Sequence, residues 1–238
     1  MPSVLITPEA FIHKSGPYVS LLEEAGFEIA YPRDTTFTRG LCSEEETIEQ
    51  LRPYDAVLAG GEWFTPRILE NLSQLRVIAR CGVGYDRVDV PSATRHGVVV
   101  TITPTANFDA VAEQTLALLF AVAKSVVVFD RGVRDNSWHR ELTEPIRGST
   151  LGIVGLGRIG RAFALRAKAL GMRVVAHEMQ PDELFVREHG IQLLSLDDVL
   201  AQADYLSIHC PLNDETEGMF NKSVFAKMKP GSVLLNTA

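Results

Sequence analysis

Short runs of β-branched residues alternate with helix-like segments along almost the whole of this chain, and that alternation limits the fold more than any other feature. The first stretch reads SVLIT (3–7), PYVSLLEEAG (17–26), FEIAY (27–31), EEETIEQL (44–51), DAVLAGG (55–61), TPRILENL (65–72), RVIARCG (76–82), DVPSATRHG (89–97) and VVVTITP (98–104). Parallel strands cannot be joined by a tight hairpin, so each crossover needs a connecting element, usually a helix that covers a face of the sheet. Gly26 and Gly97 stand where helices end, a place that favours glycine. Residues 1–104 therefore read as a small doubly wound α/β domain.

From Asn107 to about Arg134 the pattern changes to one long helical run, apolar nearly all round in its middle. Asn107 or Asp109 reads as its cap, with Asn107 favoured and Glu113 placed in the first turn. A helix of that kind has to be covered on most faces, by its own domain, by a neighbouring domain or by a second subunit. Asp135–Gly148 reads as a loop, and from Ser149 the strand-helix alternation resumes until SVLLNTA at the last residue. Residues 105–238 thus form a second α/β domain that begins with the long helix.

Composition narrows the partners. A formal charge of −7 leaves no basic stripe for nucleic acid. The three cysteines, Cys42, Cys81 and Cys210, are too scattered for a disulfide framework or a paired metal site, which fits a reducing cytoplasm. The most apolar stretch, Thr115–Ala123, stops at Lys124, short of the ~20 residues a membrane span requires. A soluble protein that handles small molecules is expected, with no metal and no membrane partner.

The most informative motif is GIVGLGRIG, where Gly155, Gly157 and Gly160 stand in a GxGxxG pattern between an apolar strand and an amphipathic helix. The first glycine allows a tight turn, the second lets the backbone approach a pyrophosphate, and the third lets helix and strand close together. The helix N-terminus there offers unpaired N–H groups to a phosphate. Glu178 closes the next strand, near the ~20-residue offset at which a carboxylate meets the adenosine ribose. Its oxygens would accept from both ribose hydroxyls and repel a 2′-phosphate. The following MQPDE brings no arginine to hold that phosphate, so NAD is expected rather than NADP. His177 reads as a surface histidine.

These residues, with SLDDVLAQADYLSIHCPLNDET, MKPGSVLLNTA, RCGVGYDRVDVPSATRHGVVV and TPTANFDAVAEQTLALL, resemble the D-isomer-specific 2-hydroxyacid dehydrogenases, of the phosphoglycerate dehydrogenase-like type. The matches run in family order from about residue 55 to the end, while residues 1–54 match only in strand-helix pattern. The resemblance implies a Rossmann-type NAD-binding domain, a smaller flavodoxin-like substrate domain, a cleft between them, and a cytoplasmic homodimer. It also implies that Arg158 and Ile159 turn backbone amides to the pyrophosphate and that Cys210 and Pro211 line the adenine side. Thr237 and Ala238 would lie under the nicotinamide. Val83 and Gly84 would hold the substrate carboxylate through main-chain N–H groups, with Val83 also near the nicotinamide.

The resemblance further implies an arginine directly after NTA, then a glutamate, then a histidine, as charge clamp and proton carrier. None is recognised in these 238 residues, so no catalytic residue is assigned, and the chain reads as one truncated before them and inactive by itself. His209, in IHCP, is expected beside the cofactor rather than in the chemistry. The implied activity is hydride transfer between NAD and a D-2-hydroxy or 2-oxo acid, of phosphoglycerate or hydroxypyruvate type. Its rival is a non-catalytic NAD-binding redox sensor or corepressor of the same family. A methyltransferase with a similar glycine loop is disfavoured by the upstream domain.

Overall fold

The structure, a computed structural model, describes residues 1–33, 35–138 and 140–238. The chain divides into two compact units, Met1–Ala106 and Asn107–Ala238. In the first, β1 (Ser3–Ile6) leads through a 3-10 turn (Glu9–Phe11) to α1 (Pro17–Glu24), β2 (Glu28–Ala30), α2 (Thr35–Thr38) and α3 (Glu44–Leu51). β3 (Ala56–Ala59), α4 (Pro66–Glu70), β4 (Val77–Arg80), α5 (Val90–Arg95) and β5 (Val99–Thr101) complete it. Among the described residues its strands make one parallel sheet in the order β2-β1-β3-β4-β5. This is the flavodoxin-type order, with its switch point between β1 and β3. Leu5, Val57 and Ile78 from the sheet pack with Phe37, Leu51, Ile68 and Leu69 in a core almost closed to solvent.

The second unit runs α6 (Phe108–Ala123), α7 (Val126–Arg134), β6 (Thr150–Val154), α8 (Arg158–Ala169), β7 (Arg173–His177), α9 (Glu183–His189) and β8 (Gln192–Leu193). α10 (Leu196–Gln202), β9 (Tyr205–Ile208), α11 (Lys222–Phe225) and β10 (Val233–Asn236) follow. Its parallel sheet is ordered β10-β9-β6-β7-β8. Counted within the unit and read from the other edge, that is 3-2-1-4-5, the Rossmann order. Every residue of β6 is buried, as befits a central strand covered on both faces. Gly152 lets α10 approach, since a β-carbon there would stand 2.8 Å from atoms of Ala203 and Val199.

The single long helix expected from Asn107 to Arg134 is in fact two. α6 ends at Ala123, and Ser125 takes a left-handed φ of 50° before α7 begins. Val126, Val127 and Val128 come next, and β-branched side chains lose rotamer freedom in a helix, so local propensity does little to carry it across this point. The Lys124 amine is meanwhile drawn to the Glu144 carbonyl at 2.7 Å. Asn107 occupies the N-cap position of α6, but its side chain makes no capping bond, and its Oδ1 is buried without a partner among the described residues. The acid in the first turn is Asp109 rather than Glu113, and both reach Arg166, at 2.9 and 3.4 Å. Within NKSVFAKMKPG the helix α11 takes four residues, Lys222–Phe225, and is capped by Asn221.

Candidate functional site

In a parallel sheet all strands end on one edge, so motifs far apart in sequence are brought together there. β6, β7, β9 and β10 finish at Val154, His177, Ile208 and Asn236, and the residues after them are those the sequence singled out. The point where the strand order reverses, between β6 and β9, lies at Gly155, the place where doubly wound sheets bind ligands.

The three glycines do three separable things. Gly155 has φ +95°, and a β-carbon on it would stand 2.5 Å from the Cys210 nitrogen and 2.7 Å from the His209 carbonyl carbon. Gly160 would place a β-carbon 2.2 Å from the Gly155 oxygen. Gly157 is the opposite case: nothing lies within 4 Å of where its β-carbon would be. Two glycines are thus required by the protein's own packing, whereas the middle one leaves a cradle open that a side chain would fill. Gly157 is also the N-cap of α8, with no side chain capping it. Arg158 and Ile159 are the first two residues of this 12-residue helix, so their N–H groups stand at its positive end. The arrangement fits a dinucleotide pyrophosphate.

Glu178 is bound into the same turn. Its Oε2 accepts the Leu156 N–H at 2.7 Å and its Oε1 accepts the Gln180 N–H at 2.9 Å. Each oxygen keeps a lone pair, enough for a pair of vicinal hydroxyls. His177, expected at the surface, is half-buried, and its Nδ1 meets the Leu194 carbonyl at 3.2 Å.

On the β9 side, His209 sets its Nε2 2.9 Å from Ser207 Oγ and packs edge-on to Phe163, ring centroids 5.7 Å apart. Its Nδ1 is buried without a partner among the described residues. Burial pushes its pKa down to about 4, so the ring is neutral at physiological pH. The Cys210 thiol is pushed up, chiefly by burial, and is therefore protonated. The Pro211 carbonyl accepts from Thr216 Oγ1 at 2.6 Å, holding the loop after β9. Thr237 is tied to α6 through Thr115, their hydroxyls 2.9 Å apart, and the Ala238 N–H donates to Asn236 Oδ1 at 3.0 Å.

Val83 and Gly84 lie in the other unit, in the loop that follows β4. Their main-chain N–H groups have no partner among the described residues, a requirement for anion binding. Two residues that the sequence reading passed over, Arg80 and Glu62, lie at this end of the sheet, and Arg80 holds the loop. Arg80 donates from Nε to the Gly84 carbonyl at 3.2 Å and from Nη1 to the Gly60 carbonyl, joining the ends of β3 and β4. Glu62 is 1% exposed, and its Oε2 accepts the Gly60 N–H at 2.7 Å, while Oε1 has no partner among the described residues. Burial raises its pKa above the usual carboxylate range. Nothing in the string GGEWF announces a buried acid. Its role follows from packing between loops.

Comparison with known proteins accords with this geometry. Residues 116–238 match the family described as D-isomer specific 2-hydroxyacid dehydrogenase, NAD binding domain. A D-3-phosphoglycerate dehydrogenase of Mycobacterium bovis is 44% identical over 174 residues, 72% of this chain and 33% of that protein. A glyoxylate reductase of Korarchaeum cryptofilum is 36% identical over 239 aligned positions, 97% of this chain and 71% of that one, so the likeness reaches into the first 54 residues as well. The crystal structure of the TT0316 protein from Thermus thermophilus superposes with a TM-score of 0.83 at 35% identity, covering 99% of this chain and 73% of that one. The chain spans about a third of the length of the phosphoglycerate dehydrogenases it matches. It belongs to the D-isomer-specific 2-hydroxyacid dehydrogenase family, and residues 116–238 are that family's NAD-binding domain.

Proposed function

We propose that this chain serves a cytoplasmic, NAD-dependent dehydrogenase that moves a hydride between nicotinamide and a D-2-hydroxy or 2-oxo acid, of phosphoglycerate or hydroxypyruvate type. The observation that carries the reading is the open position of Gly157 between two glycines whose β-carbons would clash. Bound NAD supplies the hydride acceptor or donor, and the protein's own residues do the rest. Arg158 and Ile159 present N–H groups to the pyrophosphate, Glu178 takes the ribose hydroxyls, and Cys210 and Pro211 line the adenine side. Thr237 and Ala238 support the nicotinamide end. In the first unit, the substrate domain of this reading, the free N–H groups of Val83 and Gly84 receive the carboxylate, and Val83 also approaches the nicotinamide. None of these residues is given a proton-transfer role. His209, with a pKa of about 4, is neutral at neutral pH and is not the imidazolium that would protonate a carbonyl under reduction.

A homodimer belongs to the same reading. Val126, Val127, Val128 and Val133 on α7 are each half exposed or more, a run of apolar side chains that a second copy would cover. Among the described residues no helix is long and apolar enough to cross a membrane.

Fluorescence titration with NADH tests the cofactor half. The 238-residue chain is expected to bind NADH and to show no sustained NADH oxidation with glyoxylate, hydroxypyruvate or 3-phosphohydroxypyruvate. Absence of NADH binding would refute the proposal.

A further inference from the structure

The peptide after Glu178 supplies no arginine, but the fold brings one from α8. Arg161 donates from Nε to the Leu156 carbonyl at 3.0 Å and from Nη1 to Asp182 Oδ2 at 2.7 Å, with its guanidinium 5.2 Å over the Phe185 ring. Leu156 is the residue whose N–H is held by Glu178. An anion and a cation therefore grip opposite ends of one residue in the glycine turn, and the cation is already occupied by Asp182. That carboxylate also caps α9, its Oδ1 accepting from the Leu184 and Phe185 N–H groups at 3.2 Å each. The Phe185 bond first, with the nearby Arg161 charge, keeps its pKa below the usual aspartate range, so it is ionised at neutral pH.

We propose that Asp182 is a specificity-determining residue for the cofactor, because it masks in Arg161 the cation that a 2′-phosphate would require. Guanidinium matches phosphate in planar, two-pronged geometry and is the usual partner where a 2′-phosphate is accepted. Here the group is held on the same residue, Leu156, as Glu178 but is engaged, and Glu178 adds its own repulsion. The side chains of Arg161 and Asp182 are 32% and 40% exposed, and an ion pair so accessible adds little to stability. Holding the fold together is a poor explanation for it; withholding a charge is a better one. The inference rests on the NAD-site reading above.

The test is NADPH and NADH affinity, by fluorescence titration of the 238-residue chain, for the unmodified protein, Glu178→Ser, Glu178→Ser with Asp182→Asn, and that pair with Arg161→Gln added. Asparagine is as good an N-cap as aspartate, so α9 should persist, which thermal melting checks. Asp182→Ser, also a cap, replaces it if the asparagine variant melts early. Adding Asp182→Asn to Glu178→Ser is expected to tighten NADPH about tenfold, the worth of one charge-assisted contact, and Arg161→Gln should abolish that gain. No gain, or a gain that survives Arg161→Gln, overturns the proposal, since loss of negative charge alone would then suffice. If the unmodified chain binds no NADH, the NAD-site reading falls and this inference with it. NADH binding without an Arg161-dependent gain overturns the inference alone.

Discussion

The carbonyl oxygen of Gly155 lies 2.2 Å from where a β-carbon on Gly160 would stand, so the turn that starts the cofactor site is closed by the absence of one side-chain atom. Gly160→Ala should cost roughly 1–3 kcal/mol through overpacking and weaken NADH binding as the turn deforms. Gly157→Ala should behave differently. Its position is open and its φ of −72° suits any residue, so stability should change by no more than about 0.5 kcal/mol, while NADH affinity falls tenfold or more. Denaturant unfolding and NADH titration on the two variants check this. Equal loss of stability in both would show that Gly157 is structural.

Glu178 accepts two backbone N–H groups and retains acceptor capacity on each oxygen. NADH is therefore expected to bind more tightly than NADPH. Glu178→Ala should weaken NADH about tenfold, the scale of a lost charged hydrogen bond, and narrow the preference because the repulsion of a 2′-phosphate goes with it. Calorimetry on both cofactors decides it. Equal affinity of the unmodified protein for the two would remove Glu178 from its assigned role.

His209 makes stability depend on pH. Its folded pKa is about 4, below the unfolded value of about 6.5, so the unfolded chain takes up the proton first as pH falls. The stabilisation is complete above about pH 6.5, declines as pH drops, and is exhausted below about pH 4. The linkage amounts to at most about 3 kcal/mol. His209→Gln, which keeps a hydrogen-bonding group for Ser207, should flatten this limb of the curve of unfolding free energy against pH. An unchanged slope between pH 6.5 and 4 in the variant would show that other groups set it.

The alternation of β-branched runs with helical segments determined by itself that two parallel sheets would form, because the residue types and loop lengths permit few other connections. The GxGxxG turn and the offset of Glu178 are likewise legible in the sequence as the place proposed for a dinucleotide, since turn chemistry and strand length are local properties of the chain. Other features were decided only when elements packed. The strand orders, 2-1-3-4-5 in one unit and 3-2-1-4-5 in the other, are not encoded in any period of the pattern. The break at Ser125 interrupts a stretch that reads as continuous helix, and the Asn107 side chain forgoes the cap its position suggests. The engagement of Arg161 by Asp182, 21 positions away, and the burial of Glu62 in the segment after β3 arise only when elements pack. Local sequence sets what a segment prefers, but which charge finds which partner depends on distances in space that exist only after the sheet and its helices have closed on one another.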